Sequence, residues 1–513
     1  MNKFLYGAAA LALLTACGGG GDKPPKIDAS PEDIAAALAD MSLDTSEAGL
    51  VRFAGSKVSD GSATFDGFSV MLDEDEELEL TAAKLTVDGL HMSDQGANFV
   101  SMKFEDMKLT DGDEQATLTL ADLTIDQPSP ALSAWMADLM TTGEPGDFPA
   151  LSELSFKGVS FGDMKFVASE EDDIDVNFGF SNLALTDFAQ GGLGNLSFDD
   201  MAFSFVNNYD GTDVSGSLGS YDLDGLKETQ AEVLETVFKL ADDEDAMAEQ
   251  ISDLIGSNLL DPGYDRSLLK NLKLNINGLN IDLPSLEQTA DYNRDGKAVA
   301  SETKPFKLTV NVDPAGQMGA QAQPIMEMLE LESLVLSGAG KTKINPDGDS
   351  FEAAAKDNYL EVENLMKLSF GTEMSGLSSF YSSLTEAAAQ GADEDEAMLA
   401  AASNLNIGGL ELALRDDGVF EKGLTLAGTM MGQDPQALRS MALAGVAFLP
   451  AQASQIGVDT DLAAELSGAL STFLQEQGTL TLKLDPAEPL TMQSFMDPSA
   501  ITKDSLGFSA TAD

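Results

Sequence analysis

The chain has 513 residues, of which 87 are acidic and 28 basic, for a net charge of −59 at pH 7. This charge repels phosphate, so it excludes nucleic-acid binding and disfavours electrostatic attachment to anionic lipid. Cys17 and His91 are the only cysteine and histidine, which excludes intramolecular disulfides and Cys/His zinc sites. Hydrophobic residues make up 43 % of the chain, a fraction typical of a folded protein.

The first predicted element is an export signal over residues 1–16. Lys3 supplies positive charge, and residues 4–14 form an apolar segment too short to span a bilayer. The segment ends in Leu14-Thr15-Ala16-Cys17, which resembles the lipobox of bacterial lipoproteins. The resemblance implies cleavage before Cys17 and acylation of its thiol and its new amino group. The alternative is an ordinary secretory signal followed by an incidental cysteine.

Residues 17–29 are predicted to be the lipidated Cys17 and a flexible tether, because GGGGDKPPK (18–26) cannot form a core. Several acyl chains together hold a protein firmly at a membrane. In lipoproteins of Gram-negative bacteria, a residue other than aspartate after the modified cysteine favours the outer membrane, and here that residue is Gly18. We therefore expect the chain to be lipid-anchored in the cell outer membrane, on its periplasmic or its surface face.

An eight-residue pattern then recurs, with apolar residues at positions 1, 3, 6 and 8 and a small or polar residue at position 5. The full copies are ATFDGFSV (63–70), LTVDGLHM (85–92), MKFEDMKL (102–109), LTLADLTI (118–125), LSFKGVSF (154–161), FGFSNLAL (178–185), LSFDDMAF (196–203), LNINGLNI (274–281), LELESLVL (329–336) and LNIGGLEL (405–412); YLEVENLMKL (359–368) is a weaker copy.

Positions 1 and 3 alternate with period two, as do positions 6 and 8, which is typical of a half-buried strand. The parity changes in the middle, and a β-bulge that inserts one residue would return all four to one face. Each octad is therefore predicted to be one long strand with a central bend. The early copies start 16 to 22 residues apart, which suits an antiparallel meander and is too short for βαβ units.

The predicted class is mainly β with helical insertions (α+β): an extended antiparallel meander of long bent strands that forms a half-open β-groove. Helices are expected over 30–41, where Ser30 and Pro31 begin one, over 130–141 and, as a hairpin, over 434–477, before a strand at 479–486. The predicted segments are 30–225 (first β-rich half), 226–260 (helical insertion), 261–372 (second β-rich part), 373–402 (helical insertion) and 403–513 (C-terminal strands plus helical hairpin).

The octads LTVDGLHM (85–92), LTLADLTI (118–125) and LNINGLNI (274–281) resemble those of AsmA-like and YdgA-like envelope proteins. The resemblance covers about residues 60–412 and implies an extended, half-open β-groove with an apolar lining, in a class associated with lipid handling between membranes. AsmA-like proteins usually begin with a transmembrane helix, whereas this chain begins with a lipobox. The C-terminal runs GLELALRDDGVFEK (409–422), DPQALRS (434–440) and GTLTLKLDPAEPL (478–490) look like the end of certain uncharacterised proteobacterial proteins.

Aromatic residues at the apolar octad positions are the candidate groove lining, because such side chains adapt to acyl chains. They are Phe65, Phe68, Phe104, Phe156, Phe161, Phe178, Phe180, Phe198 and Phe203. The alternative is that helices over 226–260 and 434–477 cover the same face, so that these residues form an ordinary core.

Residues 291–302 fit the calcium-loop pattern D-x-[DN]-x-[DN]-G-x5-E. Its candidate ligands are Asp291, Asn293, Asp295, the Lys297 carbonyl and Glu302. Pro305 and the strand-like LTVNV (308–312) follow it, where an EF-hand would have a helix. The alternative is a hairpin loop built on the Asp-Gly pair.

No catalytic constellation stands out, and we expect the chain not to be an enzyme. GVSFG (158–162) matches the nucleophile-elbow string G-x-S-x-G but lies inside an octad, and His91 precedes it rather than following it. The expected function is therefore that of a lipid-anchored envelope protein that binds lipid or another apolar ligand in a β-groove. The alternative is a structural or interaction lipoprotein of the surface, stabilised by calcium and acidic through adaptation to salt.

Overall fold

The computed structural model describes residues 27–513 except 28, 46–49, 60, 74–77, 112–115, 143–148, 171–173, 190–191, 208, 210–211, 228–260, 390–397, 399, 492–493 and 495–500. The fold is mainly β, with 52 % of residues in strands and 27 % in helices, which confirms the predicted class. The strand pairings that follow are all antiparallel, as the meander prediction requires. The predicted signal, Cys17 and the helical insertion beyond residue 227 lie outside the described residues.

The chain divides into two compact units. The first unit comprises residues 1–238 and 263–277, and the second comprises residues 239–262 and 278–513. The elements of the first unit are α1 (Pro31–Asp40), β1 (Val51–Arg52), β2 (Gly55–Ser59), β3 (Ser62–Asp73), β4 (Leu78–Asp88), β5 (His91–Ser93), β6 (Gly96–Asn98), β7 (Ser101–Asp111), β8 (Ala116–Asp126), α2 (Pro130–Thr142), β9 (Ser155–Phe161), β10 (Met164–Glu170), β11 (Ile174–Ala189), β12 (Leu193–Asn207), β13 (Thr212–Leu226) and β14 (Arg266–Ile276).

The sheet of the first unit runs β3, β4, β7, β8, then β9 and β10 in one shared position, then β11, β12, β13 and β14. Strands β9 and β10 lie end to end: β10 pairs with one half of β11 and β9 with the other. Strands β1 and β2 pair with β3 in the same interrupted way. Both breaks lie outside the octads, since residues 162–163 follow the octad 154–161 and residues 53–54 precede the octad 63–70.

The parity change inside the octads is present. The register of β11 with β12 shifts on both sides of Ser181, as a bulge or irregularity does, but on β3 the cause differs from the predicted bulge. Ala63, Phe65, Phe68 and Val70 of β3 are all buried, so both halves of this octad face the core. Yet Asp66 pairs with Lys84 and Phe68 with Ala82, so the register does not shift across Gly67. A bulge would add a residue to one strand of the pair only. Here the neighbouring strand carries its own extra residue, and the two cancel.

These extra residues form a line across the sheet, which we term the crease: Gly67 on β3, Ala83 on β4, Asp106 on β7 and Ala121 on β8, opposite one another and outside the ladder of paired residues. Gly67 and Asp106 have φ of 62° and 51°. Left-handed backbone is easiest for Gly and tolerated by Asp and Asn, which explains why Gly67 and Asp106 stand at position 5 of their octads. Asn182 and Asp200 have positive φ at the same octad position on β11 and β12.

Four of the predicted octad strands are interrupted. In the octad 85–92, β4 ends at Asp88 and His91 belongs to the separate β5–β6 hairpin. In 274–281, Asn277 and Gly278 both have positive φ and separate β14 from β15 (Leu279–Tyr292), because Asn-Gly is a strong two-residue turn. Strands β19 (Tyr359–Val362) and β20 (Met366–Ser375) likewise divide the weaker copy, and strand structure in 329–336 begins only at β17 (Leu334–Asn345).

The core of the first unit lies between its sheet and the two helices. Helix α1 begins at Ser30, whose hydroxyl accepts from the Asp33 amide in a capping box, with Pro31 in the first turn. Helix α2 buries Trp135 in the same apolar cluster. Ser133 of α2 donates to Asn98 of β6 at 2.7 Å, so the small hairpin helps to fix this helix.

The elements of the second unit are β15, β16 (Ala298–Val312), α3 (Gln317–Met328), β17, β18 (Ser350–Ala353), β19, β20, α4 (Leu377–Ala389), β21 (Asn406–Asp416), α5 (Val419–Met431), α6 (Pro435–Ala447), α7 (Leu449–Ile456), α8 (Thr460–Glu476), β22 (Thr479–Leu484), β23 (Leu490–Thr491), α9 (Lys503–Leu506) and β24 (Ser509–Ala512). Its sheet runs β15, β16, β17, then β18 and β19 end to end, then β20, β21, β22 and β24.

The C-terminal helices differ from the predicted hairpin over 434–477. Three helices, α6, α7 and α8, lie in this range, and α5 precedes them without having been predicted. Pro450 has no amide to continue α6 and stands in the first turn of α7, while Gly457, with φ of 80°, ends α7. In the predicted insertion 373–402, residues 373–375 complete β20 and α4 follows.

Candidate functional site

Four of the nine candidate groove residues belong to the closed core of the first unit. Phe65, Phe68, Phe104 and Phe161 are at most 5 % exposed, and Phe68 contacts Phe104 edge to face with ring centroids 5.8 Å apart. The cavity beside Phe68, between the sheet and α2, has a volume of about 40 Å³ and apolar walls. It has room for about one water molecule and is too small for an acyl chain. Helices α1 and α2 contribute to this core, whereas the covering helix predicted over 226–260 lies almost entirely outside the described residues.

The other five, Phe156, Phe178, Phe180, Phe198 and Phe203, are half-buried. Phe156 stacks on Phe188, with centroids 5.0 Å apart, and packs with Phe180 against the margin of the core. Phe178 pairs across the ladder with Phe203, which in turn pairs with Gly216. The structure therefore places the nine residues in two settings, a closed core and a half-open sheet face.

The second unit has a larger apolar face, which we term the leucine face. It consists of directly paired apolar residues on β16, β17, β19, β20, β21 and β22. Its members are Leu308, Val310, Leu334, Leu336, Leu360, Val362, Leu368, Phe370, Leu410, Leu412, Leu414, Leu480, Leu482 and Leu484. Directly paired residues of an antiparallel sheet lie on the same side, so this set is continuous over six strands.

The middle of the leucine face is open. Leu360, Phe370, Leu410 and Leu412 are exposed by 44 %, 38 %, 41 % and 36 %. Phe370 and Leu412 pair directly, so the exposed side chains are neighbours rather than scattered. A contiguous exposed apolar patch on a soluble part of a protein commonly marks a binding surface.

One end of the leucine face is closed by α8. Ala469 and Phe473 of this helix form a small core with Leu480 of β22 and Ala510 of β24, and Leu414 and Leu482 pack at its edge. Asp459 caps α8, accepting from the Asp461 amide, and also accepts from the Lys503 amide at 2.8 Å. The helix is therefore held at both its sheet contacts and its first turn.

The opposite side of the same strands is polar and carries ion pairs. Glu361 of β19 lies 3.1 Å from Arg415 of β21 and 3.8 Å from Lys367 of β20. Lys367 also lies over the ring of Tyr359, 3.9 Å from its centroid. Exposed ion pairs contribute about 0–1 kcal/mol each, so their main effect is to keep this side in water. The sheet is consequently apolar on one side only.

The calcium-pattern residues lie on a hairpin between β15 and β16, where Tyr292 pairs with Ala298. The Asn293 side-chain oxygen accepts from the amides of Asp295 and Lys297 at 2.9 and 3.0 Å. The Lys297 carbonyl accepts from the Asn293 amide at 3.0 Å, so both oxygens already stabilise the turn.

The last residue of the calcium pattern lies away from this turn. Glu302 is paired with Thr289, within the strands, and its carboxylate contacts Lys304 at 2.9 Å and Lys341 at 3.6 Å. The hydrogen bond from Lys304, with the charge of both lysines, holds the pKa of Glu302 below its ordinary value. The described residues contain no group of three or more metal-ligating side chains.

The remaining candidates have structural settings. Ser160 of the GVSFG string lies within β9 and pairs with Ala184 of β11, so no strand-to-helix turn presents its hydroxyl. His91 lies on β5, with Nδ1 2.9 Å from the Gly89 carbonyl oxygen. The sequence analysis predicted strands in several of these segments but did not include the leucines of the second unit among the candidate groove residues, although runs such as LTVNV (308–312) and TLTLKL (479–484) carry the period-two signal.

Within the described ranges, no helix combines the length and the hydropathy needed to cross a membrane. A comparison with curated proteins gives no match. Residues 359–513 match a protein-family model described as "Uncharacterized protein". This range begins at β19 and includes the open part of the leucine face, α8 and the C-terminal strands, so what the chain shares with that family includes the candidate site.

Proposed function

We propose that this chain is a lipid-anchored envelope protein that binds the acyl chains of a lipid, or a ligand of similar apolar character, on the leucine face. The observation that carries the proposal is the exposure of Leu360, Phe370, Leu410 and Leu412 as neighbours on three adjacent strands. Fully burying a Leu or Phe side chain contributes about 1.5–3 kcal/mol, so covering this patch would be strongly favourable.

The chemistry of the patch favours a hydrocarbon ligand. The exposed members are Leu and Phe, and Thr372 is the polar residue paired with Leu410. Specific polar ligands need several convergent hydrogen-bonding groups, whereas acyl chains need only a dry apolar surface of sufficient length. With about 4.7–4.9 Å between neighbouring strands, the three strands from β19 to β21 span about 10 Å across the ladder.

The predicted lipid anchor at Cys17 adds support, because it would keep this face near a source of lipid. Effective concentration rises when a binding module is tethered close to its ligand. The octad resemblance to AsmA-like proteins, which implies lipid handling, points in the same direction.

The proposal is tested by native mass spectrometry on residues 18–513, which include every described residue, after delipidation and incubation with palmitate. We expect one or more added palmitate masses on the parent chain. Phe370→Glu, which places a charge in the open patch, is expected to lose them. Ser369→Glu is the matched control, since Ser369 is the adjacent residue on the polar side and pairs with Ala413.

Two results would contradict the proposal: a parent chain that binds no palmitate, or palmitate retained equally by both variants. A chain without ligand would favour the alternative, a structural or interaction lipoprotein.

A further inference from the structure

Large apolar side chains are unusually exposed on the helices α5, α6 and α7. Met430 and Met431 at the end of α5, Met441 on α6, Phe448 between α6 and α7, and Ile456 at the end of α7 are 78 %, 60 %, 54 %, 62 % and 69 % exposed. In the described part of the chain, Tyr209 is the one other large apolar residue exposed to this extent, at 88 %. This concentration in 27 residues (430–456) distinguishes the region from scattered surface hydrophobics.

The same region lacks the charge of the rest of the protein. Residues 418–458 contain two acidic residues, Glu421 and Asp434, and two basic residues, Lys422 and Arg439, in a chain whose net charge is −59. Their charges cancel. Among the exposed residues between 423 and 458, Asp434 alone is charged, and its carboxylate accepts from the Gln436 amide at the start of α6.

Two of the other charges are paired with each other. Arg439 on α6 forms an ion pair with Glu421 of α5, and its guanidinium lies 5.4 Å from the centroid of the Phe420 ring. Ser467 of α8 donates to the Val446 carbonyl at 2.8 Å, so α8 packs on the inner side of α6. Apart from Asp434, the exposed side chains of residues 423–458 are therefore apolar or polar without charge.

The outer side of α6 is a helical stripe. Ala437, Met441, Ala444 and Phe448 are spaced by four, three and four residues, which places them on one side of the helix, and all four are exposed. Exposed Ser, Thr, Gln and Gly residues surround the bulky side chains. A surface of this composition can insert apolar side chains into a bilayer interface, and its basic residues, Lys422 and Arg439, are matched in number by Glu421 and Asp434, so it carries no net positive charge to attract anionic headgroups.

We propose that α5, α6 and α7 form a docking surface for a lipid bilayer of low surface charge. A second copy of this chain is a less favourable partner for this surface, because each copy has a net charge of −59 and association would bring two such charges together. An uncharged bilayer has no such cost, and Met, Phe and Ile side chains gain free energy on entering its interface. The inference is independent of the leucine face and concerns attachment to the membrane rather than ligand capture.

Vesicle flotation of residues 18–513 tests the proposal, since this form has neither the signal peptide nor an acylated cysteine. We expect co-flotation with phosphatidylcholine vesicles and weaker binding when phosphatidylglycerol is mixed in. Salt should relieve that weakening, because it screens the repulsion between acidic protein and anionic lipid.

The variant Met430→Ser/Phe448→Ser/Ile456→Ser is expected to bind phosphatidylcholine vesicles at least about tenfold more weakly, because it removes three inserting side chains. These residues are exposed, so an unchanged circular dichroism melt should accompany the loss. The matched control is Val58→Ser/Met92→Ser/Tyr209→Ser, which removes three exposed apolar side chains of the first unit and should bind like the parent chain.

The proposal is overturned if the parent chain does not float, or if the triple variant floats like the control. It is also overturned if the triple substitution instead abolishes a dimer seen by sedimentation, since the surface would then join two copies. Phe370→Glu is expected to float like the parent chain, which separates this surface from the proposed ligand site.

Discussion

The side chains of Phe203 on β12 and Leu274 on β14 both lie over Gly216 of the intervening strand β13, in the position that a side chain of residue 216 would take. A Cβ atom at Gly216 would lie 2.6 Å from Cε1 of Phe203 and 2.7 Å from Cδ2 of Leu274. The second unit repeats the arrangement, with Phe306 and Leu360 on either side of Gly338, both 2.9 Å from its would-be Cβ. In each unit, a glycine in the central strand lets an aromatic ring and a leucine from flanking strands come together.

This arrangement predicts that Gly216→Ala destabilises the protein by about 1–3 kcal/mol, because the new methyl group must displace a ring or a leucine. Gly468→Ala on α8 is the control, since a Cβ there meets nothing within 4 Å. It should instead stabilise by about 0.5–1 kcal/mol through helix propensity. Urea unfolding measures both, and the same sign for the two variants would refute the explanation.

The crease predicts a second pair of effects. Asp106 is exposed and has φ of 51°, so its replacement changes backbone strain more than contacts. We expect Asp106→Gly to stabilise by about 0.5–1 kcal/mol, and Asp106→Val to destabilise by about 1–2 kcal/mol, because β-branched residues avoid this conformation.

Lys108→Val is the control for the crease, since Lys108 is exposed on the same strand but has ordinary strand geometry. It should change the unfolding free energy by less than about 0.5 kcal/mol. Equal losses from the two valine variants would show that the crease residue is not strained.

The contrast between closed core and open face can be measured directly. Phe68→Ala should cost about 3–5 kcal/mol, because the ring is 1 % exposed and fills a packed core. Phe370→Ala should cost less than about 1 kcal/mol in the ligand-free protein, since its ring is already partly in water. Denaturant unfolding of the two variants tests this, and a large loss from Phe370→Ala would mean that the leucine face is covered in solution.

The hairpin at 291–302 is expected to be independent of calcium. Its turn is stabilised by the Asn293 side chain, so Asn293→Ala should lower stability by about 1 kcal/mol with or without calcium. Calorimetry with calcium chloride, against sodium chloride of equal ionic strength, should give the same melting temperature. A saturable rise with calcium that disappears in Asp291→Ala would instead establish an ion site.

Asp459 gives a pH-dependent contribution. Backbone hydrogen bonds from Lys503 and Asp461 hold the pKa of its carboxyl below the ordinary value. A carboxyl with a lowered pKa in the folded state stabilises the fold above its unfolded pKa of about 3.9, and this stabilisation is lost as the pH falls through the folded pKa.

Asp459→Asn retains a good helix cap but cannot titrate. Thermal melts should therefore show the parent chain losing more stability than this variant as the pH falls from 5 toward 2. Parallel curves for the two proteins would contradict the assignment.

The sequence predicted the class and the parity of the octads, because alternating pairs such as Ala63 and Phe65, or Phe68 and Val70, can be matched to one face without knowing the partner strands. It did not predict that the register continues across Gly67, since a bulge and a shared crease have the same pattern in one strand. It also could not assign Phe68 to the core and Phe370 to an open face. Both have strand periodicity, and only the placement of α1, α2 and α8 decides which strands are covered.

The crease also bears on how such a sheet can change in length. Each strand carries one crease residue of its own: Gly67, Ala83, Asp106 or Ala121. A hairpin of two strands therefore contains both of the residues that keep its bend aligned with the bends of the neighbouring strands. A gene segment encoding two strands could be duplicated or lost without misaligning those that remain. Relatives of this protein are thus expected to differ by whole hairpins, whereas removal of one crease residue would reverse half a strand and expose its apolar side chains.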